Sequence, residues 1–204
     1  KIAYLLDNGA KPSEVMALTF TNKAAKEMRS RIAALVGGKK AGQLWSGTFH
    51  SIFAKILRKY SSLLGFPSTF TIYDGSDAKN AIKLCIKELQ LDEKIYKPNV
   101  VLSRISAAKN NLVTAEAYMN NHVAIQNDMK SGKGKICEVY RLYAKKCKTD
   151  SVMDFDDILL YMNILLRDFP EVTSELRSQI SHILVDEYQD TNMAQYHIVK
   201  KIAQ

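Results

Sequence analysis

Three short apolar runs, residues 15–20 (VMALTF), 44–49 (LWSGTF) and 183–186 (ILVD), each stop abruptly in polar residues. Stretches with helical spacing follow the first two. This alternation constrains the chain more than any other feature of it. Strands joined through helices run parallel, because parallel neighbours need a crossover of a dozen or more residues. Ala25, Met28, Ile32 and Leu35 repeat at helical spacing after the first run, and Ile52, Phe53, Ile56, Leu57 and Tyr60 after the second. Residues 2–8 read as the tail of a helix, with Gly9 in the position that favours a left-handed backbone. Thr21 or Asn22 is placed to cap the helix after the first run, and Gly37 and Gly38 to end it. The expected class is α/β, built on a parallel sheet.

Between residues 51 and 180 the apolar pattern is mostly helical. Helices are expected at 76–91, 98–109, 114–120, 135–147 and 154–167, and only 69–73 (TFTIY) reads as extended. The expected organisation is an α/β domain made of residues 1–50 and 181–204, interrupted by a helical insertion at 51–180. The 204 residues, 47% hydrophobic and 25% charged, suffice for one large domain or two small ones.

Several classes are excluded. No apolar run has transmembrane length, and the start carries no signal-peptide pattern, so no membrane is expected. Cys85, Cys137 and Cys147 are odd in number and lack C-x-x-C spacing. That argues against a disulfide framework or a zinc site and fits a reducing cytoplasm. His50, His122, His182 and His197 show no metal-ligand spacing. The net charge of +8 suits an anionic partner such as nucleic acid, although ordinary solubility accounts for it equally well. Lys130, Lys133, Lys135, Arg141, Lys145, Lys146 and Lys148 form a basic stripe, each of them also readable as part of a solvated helix face.

Four motifs carry chemistry. In HILVDEYQDTN (182–192) an apolar strand delivers Asp186 and Glu187 to its carboxyl end. In nucleoside triphosphatases such a strand places the Asp on the Mg²⁺ shell and the Glu beside the attacking water, with Gln189 placed either to sense the γ-phosphate or to position that water, the plain alternative being an acid-rich surface turn. In LTFTNKAAKEMRSRI (18–32) a strand ends in Thr19, Phe20, Thr21 and Asn22 where a helix starts. Free N–H groups and hydroxyls there suit phosphate oxygens, and Phe20 offers a face for a base. The plain alternative is a capping residue beside a core Phe. GTFHS (47–51) repeats the arrangement on the next strand, with Thr48, His50 and Ser51 at the helix start. Both turns lie on the carboxyl edge, where α/β sheets bind ligands. In DFDDILLYM (154–162) Asp154 is placed as N-cap, Asp157 sits in the first turn, and Ile158, Leu159 and Met162 form a core stripe that Phe155 need not join.

In this order the motifs resemble the UvrD/PcrA/Rep family of superfamily 1 DNA helicases. LTFTNKAAKEMRSRI is similar to the family's motif Ia, GTFHSIFAKILR to motif Ib and ILVDEYQDTNMAQY to motif II, the Walker B segment. DFDDIL is similar to the short motif closing the family's inserted helical domain. The resemblance implies a RecA-like core of the P-loop NTPase fold, domain 1A (1–50 and 181–204), with insertion 1B (51–180). It implies ATP and Mg²⁺ as cofactors, with Asp186 on the metal, Glu187 as catalytic base and Gln189 coupling nucleotide state to motion. It implies single-stranded DNA and single-strand/duplex junctions as partners. Phe20 and Phe155 would contact bases, with Thr19, Thr21, Asn22, Thr48 and His50 near the backbone. Translocation would run 3′ to 5′.

One departure is large: the chain holds no G-x-x-x-x-G-K-[ST] phosphate loop. The family places that loop just before the helix of which KIAYLL reads as the tail. The chain therefore reads as an internal piece of a longer protein, without the second RecA-like domain and inactive as an ATPase alone. Two alternatives stand beside this reading. One is the helicase subunit of an AddA/RecB-type helicase–nuclease. The other is a DNA- or protein-binding module that performs no chemistry.

Overall fold

The computed structural model describes residues 1–203. Helix α1 (Ile2–Asp7) leads to strand β1 (Val15–Thr19), α2 (Asn22–Val36), the single turn α3 (Gly38–Ala41), β2 (Trp45–Thr48) and α4 (Phe49–Tyr60). There follow β3 (Thr71–Tyr73), α5 (Gly75–Glu88), α6 (Pro98–Asn110), α7 (Ala115–Met119), α8 (His122–Lys130) and α9 (Ile136–Thr149). The chain closes with β4 (Val152–Asp154), α10 (Phe155–Asp168), α11 (Pro170–Gln179), β5 (His182–Val185) and α12 (Met193–Ala203). These elements form two compact units, one of Lys1–Lys59 with the chain from Met162 onward, the other of Tyr60–Tyr161. The class is α/β, as the alternation of runs predicts.

The first unit holds a parallel sheet in the order β2-β1-β5. β1 lies in the centre and is buried along its whole length. A continuous apolar run is what a strand covered on both faces requires. Register pairs Thr19 with Thr48 on one side and Leu18 with Val185 on the other, so all three strands finish at one edge. β5 corrects an expectation. ILVD reads as a buried strand, yet His182–Val185 are only half-buried, because β5 is an edge strand with a neighbour on one side.

Helix α2 packs through Ala25 and Ile32. Leu35, expected on the same stripe, is 74% exposed, since it lies on the rim of a cavity of about 430 Å³ between β1, β5, α1 and α2. Gly37 ends α2 at φ +86°, a conformation that side chains disfavour. Gly47 is required for another reason. A Cβ on it would meet Ser51 Oγ at 2.6 Å, so its absence lets α4 start tightly against β2.

The second unit is built around Ile82, Val101, Ile105, Tyr140 and Tyr143, contributed by α5, α6 and α9. Its only strands among the described residues are β3 and β4, paired in parallel with Thr71 against Val152 and Tyr73 against Asp154. β4 is not evident from the sequence, where Asp154 reads simply as a cap. Val152 and Met153 are buried instead as a short strand that needs β3 to exist. The basic stripe is partly engaged by neighbours. Lys135 pairs with Glu138, Lys146 with Glu88, and Lys148 donates to the Leu64 carbonyl. Among the described residues no helix is long and apolar enough to cross a membrane.

Candidate nucleotide and nucleic-acid sites

The sheet's carboxyl edge gathers most of the residues singled out by sequence. The Asp186 N–H donates to the Leu18 carbonyl at 2.9 Å, which extends the β1–β5 ladder by one residue and fixes Asp186 at the strand end. The chain then turns sharply, and Glu187 takes a left-handed conformation at φ +50°, ψ +49°. That conformation is uncommon and costly for a residue with a Cβ, and it is concentrated at functional sites. Gln189 donates its side-chain N–H to the Glu187 carboxylate. Asp186, Glu187 and Gln189 are all exposed. The turn closes on a reciprocal cap, in which the Asn192 N–H donates to Gln195 Oε1 at 3.0 Å and the Gln195 N–H to Asn192 Oδ1 at 2.8 Å.

Beside them β1 and β2 end in their polar turns. Thr19 is 3% exposed and Thr48 8%, so both hydroxyls lie within the unit. Thr21 Oγ1 accepts the Ala24 N–H at 3.1 Å, and Thr48 Oγ1 accepts the Ser51 N–H at 3.2 Å. Both are therefore helix caps, and in the same turns Asn22 is exposed and His50 half-buried. Phe20 is half-buried, its ring 5.2 Å from that of the buried Phe49. It is thus an aromatic surface supported from beneath by a second ring.

The edge fits a magnesium ion in one mode only. Among the described residues no group of three His, Cys, Asp or Glu is placed to hold a metal. The exposed Asp186 carboxylate, with that of Glu187 next to it, could supply one oxygen, and Mg²⁺ commonly takes one or two carboxylates together with phosphate oxygens and waters. The adjoining cavity is lined mainly by hydrocarbon from Ala17, Leu18, Met28, Ile32 and Leu184.

Phe155 belongs to the second unit and is 49% exposed. It borders a depression of about 260 Å³ whose walls include Tyr73, Asn99, Ser103 and Ser106. Beneath it lies a charged cluster in the interior. The Asp157 N–H donates to Asp154 Oδ1 at 2.8 Å and the Asp154 N–H donates to Asp157 Oδ2 at 3.1 Å, a reciprocal cap that starts α10. Lys109 Nζ, on a side chain 1% exposed, lies 2.7 Å from Asp154 Oδ2 and 2.7 Å from Asp157 Oδ1. The Tyr143 hydroxyl donates to Asp154 Oδ2 at 2.7 Å. Every carboxylate oxygen of the two acids is engaged. Burial opposes charge on Lys109, but the two carboxylates outweigh it and hold the ammonium above its usual range. Burial likewise raises Asp154, but the Lys109 charge wins and its carboxyl stays below the usual value. Burial, reinforced by the Asp154 charge, pushes Asp157 up to about 6.

Sequence reading places the two acids at the start of α10 and misses Lys109 altogether. The available signal is spacing. Lys109 follows the buried Val101 and Ile105 at intervals of four, so it shares their inward face.

Comparison with known proteins agrees with this architecture. The UvrD/REP helicase N-terminal domain family matches residues 1–204. The ATP-dependent DNA helicase UvrD1 of Mycobacterium leprae is 38% identical over 204 residues, covering 99% of this chain and 26% of the relative. The ATP-dependent DNA helicases PcrA of Staphylococcus epidermidis and Leuconostoc citreum are 39% and 38% identical, each covering 100% of this chain and 27% of the relative. The chain spans about a quarter of the length of these curated relatives. A whole-chain family match, a parallel sheet ending in Asp186 and Glu187, and a helical second unit agree, and the chain belongs to the UvrD/REP helicase family.

Proposed function

We propose that the chain is part of an ATP-dependent DNA helicase that translocates 3′ to 5′ on single-stranded DNA and acts at single-strand/duplex junctions. The observation that carries this is the convergence of Asp186 and Glu187 with the Thr19–Asn22 and Thr48–His50 turns on one sheet edge. We assign the first unit to the RecA-like domain 1A and the second to the insertion 1B.

In this reading Asp186 shares a magnesium ion with ATP, and the metal neutralises charge on the phosphates. Glu187, the next residue, orients and deprotonates the attacking water. Gln189, hydrogen-bonded to Glu187, links the state of that carboxylate to the turn that follows. Phe20 offers its supported ring to a base, and Phe155 does the same from the second unit. Such stacking tolerates any sequence. Asn22 and His50 lie near the DNA backbone in this reading, with Thr19, Thr21 and Thr48 shaping the turns that carry them. The phosphate loop and the second RecA-like domain come from outside these residues. Three free, buried cysteines suit a reducing cytoplasm.

The deciding experiment is Glu187→Gln in the full-length protein. ATP binding should be retained while DNA-stimulated phosphate release is lost. Loss of both together would argue against the catalytic-base role.

A further inference from the structure

We propose that Lys109 is the positioning residue for Phe155, holding the β4–α10 junction so that this ring stands outward from its unit. The inference rests on the reading above that Phe155 contacts a base. The residues around Phe155 are tied inward to consecutive residues of α6. Lys109 takes Asp154 and Asp157, and Asn110 Nδ2 donates to Asp156 Oδ1 at 2.7 Å. Phe155, enclosed in this run, is 49% exposed although it lies among buried side chains.

Val152 and Met153 before the junction and Ile158 and Leu159 after it are buried, and the Lys109 cluster joins these two packed segments through the acids that flank Phe155. The β3–β4 ladder is three residue pairs long. The reciprocal cap of Asp154 and Asp157 fixes the first turn of α10 but not its attachment to the unit. Tyr143, on α9, donates to Asp154, and its ring centroid lies 4.9 Å from Lys109 Nζ, so it supports the same cluster from one side. The Lys109 ammonium alone spans both carboxylates, and it comes from the last turn of α6. Without it two buried acids would face each other and would have to share a proton or move apart. The residue between them would move with them.

The test uses the whole chain with a tryptophan reporter, Phe155→Trp in a Trp45→Phe background, because the chain has a single Trp. Lys109→Met should shift the reporter's emission and change its acrylamide quenching at least about twofold, a signature that general loss of stability in a folded protein does not give. Unchanged emission and quenching would overturn the proposal. Binding to fluorescein-labelled oligo(dT) supplies the second readout. Phe155→Ala should weaken it about 5- to 150-fold, the range of one lost stacking contact. Lys109→Met should lose most of the same amount, and the double variant should bind no more weakly than Phe155→Ala. Additive losses would overturn the positioning role. If Phe155→Ala leaves oligo(dT) binding unchanged, the base-contact reading fails, and the proposal that rests on it fails too; the reporter then reads only the packing of the junction. Should Lys109→Met not fold, Asp157→Asn and Tyr143→Phe keep the shape of the cluster. Each should move the reporter in the same sense by less, and no movement in either sinks the idea.

Discussion

A lysine with 1% of its side chain exposed, facing two aspartates, is expensive to keep and more expensive to break. Removing one partner of such a cluster leaves uncompensated buried charge. Lys109→Ala should therefore cost about 3–5 kcal/mol of folding stability, measured by denaturant unfolding. The same position replaced by Met, together with Asp154→Asn and Asp157→Asn, should recover much of that loss, since no buried charge then remains. The cluster also makes stability depend on pH. Lys109 from α6, Tyr140, Tyr143 and Cys147 from α9, and Tyr161 from α10 surround the pair, and burial keeps the tyrosines and the thiol neutral through this range. Asp154 is depressed, so its contribution is present above the ordinary carboxylate range and is lost as pH falls. Asp157 is raised to about 6, so the folded state prefers its protonated form, and that contribution is lost as pH rises through 6. The melting temperature should decline between about pH 4 and pH 6.5, the span from an ordinary carboxylate to Asp157, and Asp157→Asn should remove most of that slope.

At the scale of the element, β1, β2 and α4 are written in local apolar periodicity, and α2 is set by its caps. Thr21→Ala removes the acceptor of the Ala24 N–H and should cost about 0.5–2 kcal/mol by thermal melting. Of Thr21 and Asn22, the structure makes Thr21 the cap, and the reading of Ile158, Leu159 and Met162 as a core stripe with Phe155 outside it agrees with their burial. What the sequence hides is whatever depends on a distant partner. β4 exists through its pairing with β3, and its three residues carry no period of their own. α8 escapes detection because its buried residue is the charged Asp128, held by Arg104 and Tyr118, with Ala124 and Ile125 only partly buried beside it. The burial of Leu35 fails for the converse reason: its spacing is right, but the surface it would cover is the rim of a cavity. The place of the two acids at the strand end is legible because they follow the apolar run directly in sequence. Lys109 is not, because its partners lie on β4 and α10.

For the molecule as a whole, net charge and the missing phosphate loop set the expectations. With a net charge of +8, affinity for single-stranded DNA should fall as salt rises, with a slope of roughly −0.7 per phosphate neutralised. Titration of labelled oligo(dT) at several salt concentrations measures it, and a flat response would remove the electrostatic part of the DNA reading. The 204 residues contain no G-x-x-x-x-G-K-[ST], so the purified chain should release no phosphate from ATP. DNA-stimulated release that Glu187→Gln abolishes would show that other residues cradle the triphosphate. The β3–β4 ladder governs the order in which the second unit assembles. It joins Thr71 to Val152 across helices α5 to α9 through three residue pairs. Closing so long a loop carries an entropy cost that three pairs do not offset unless the intervening helices have already drawn the ends together. The rate-limiting nucleus should therefore lie where α5, α6 and α9 meet. Ile82→Val should slow refolding, whereas Met153→Ala should leave refolding nearly unchanged and hasten unfolding, a division that stopped-flow measurements on the two variants would reveal.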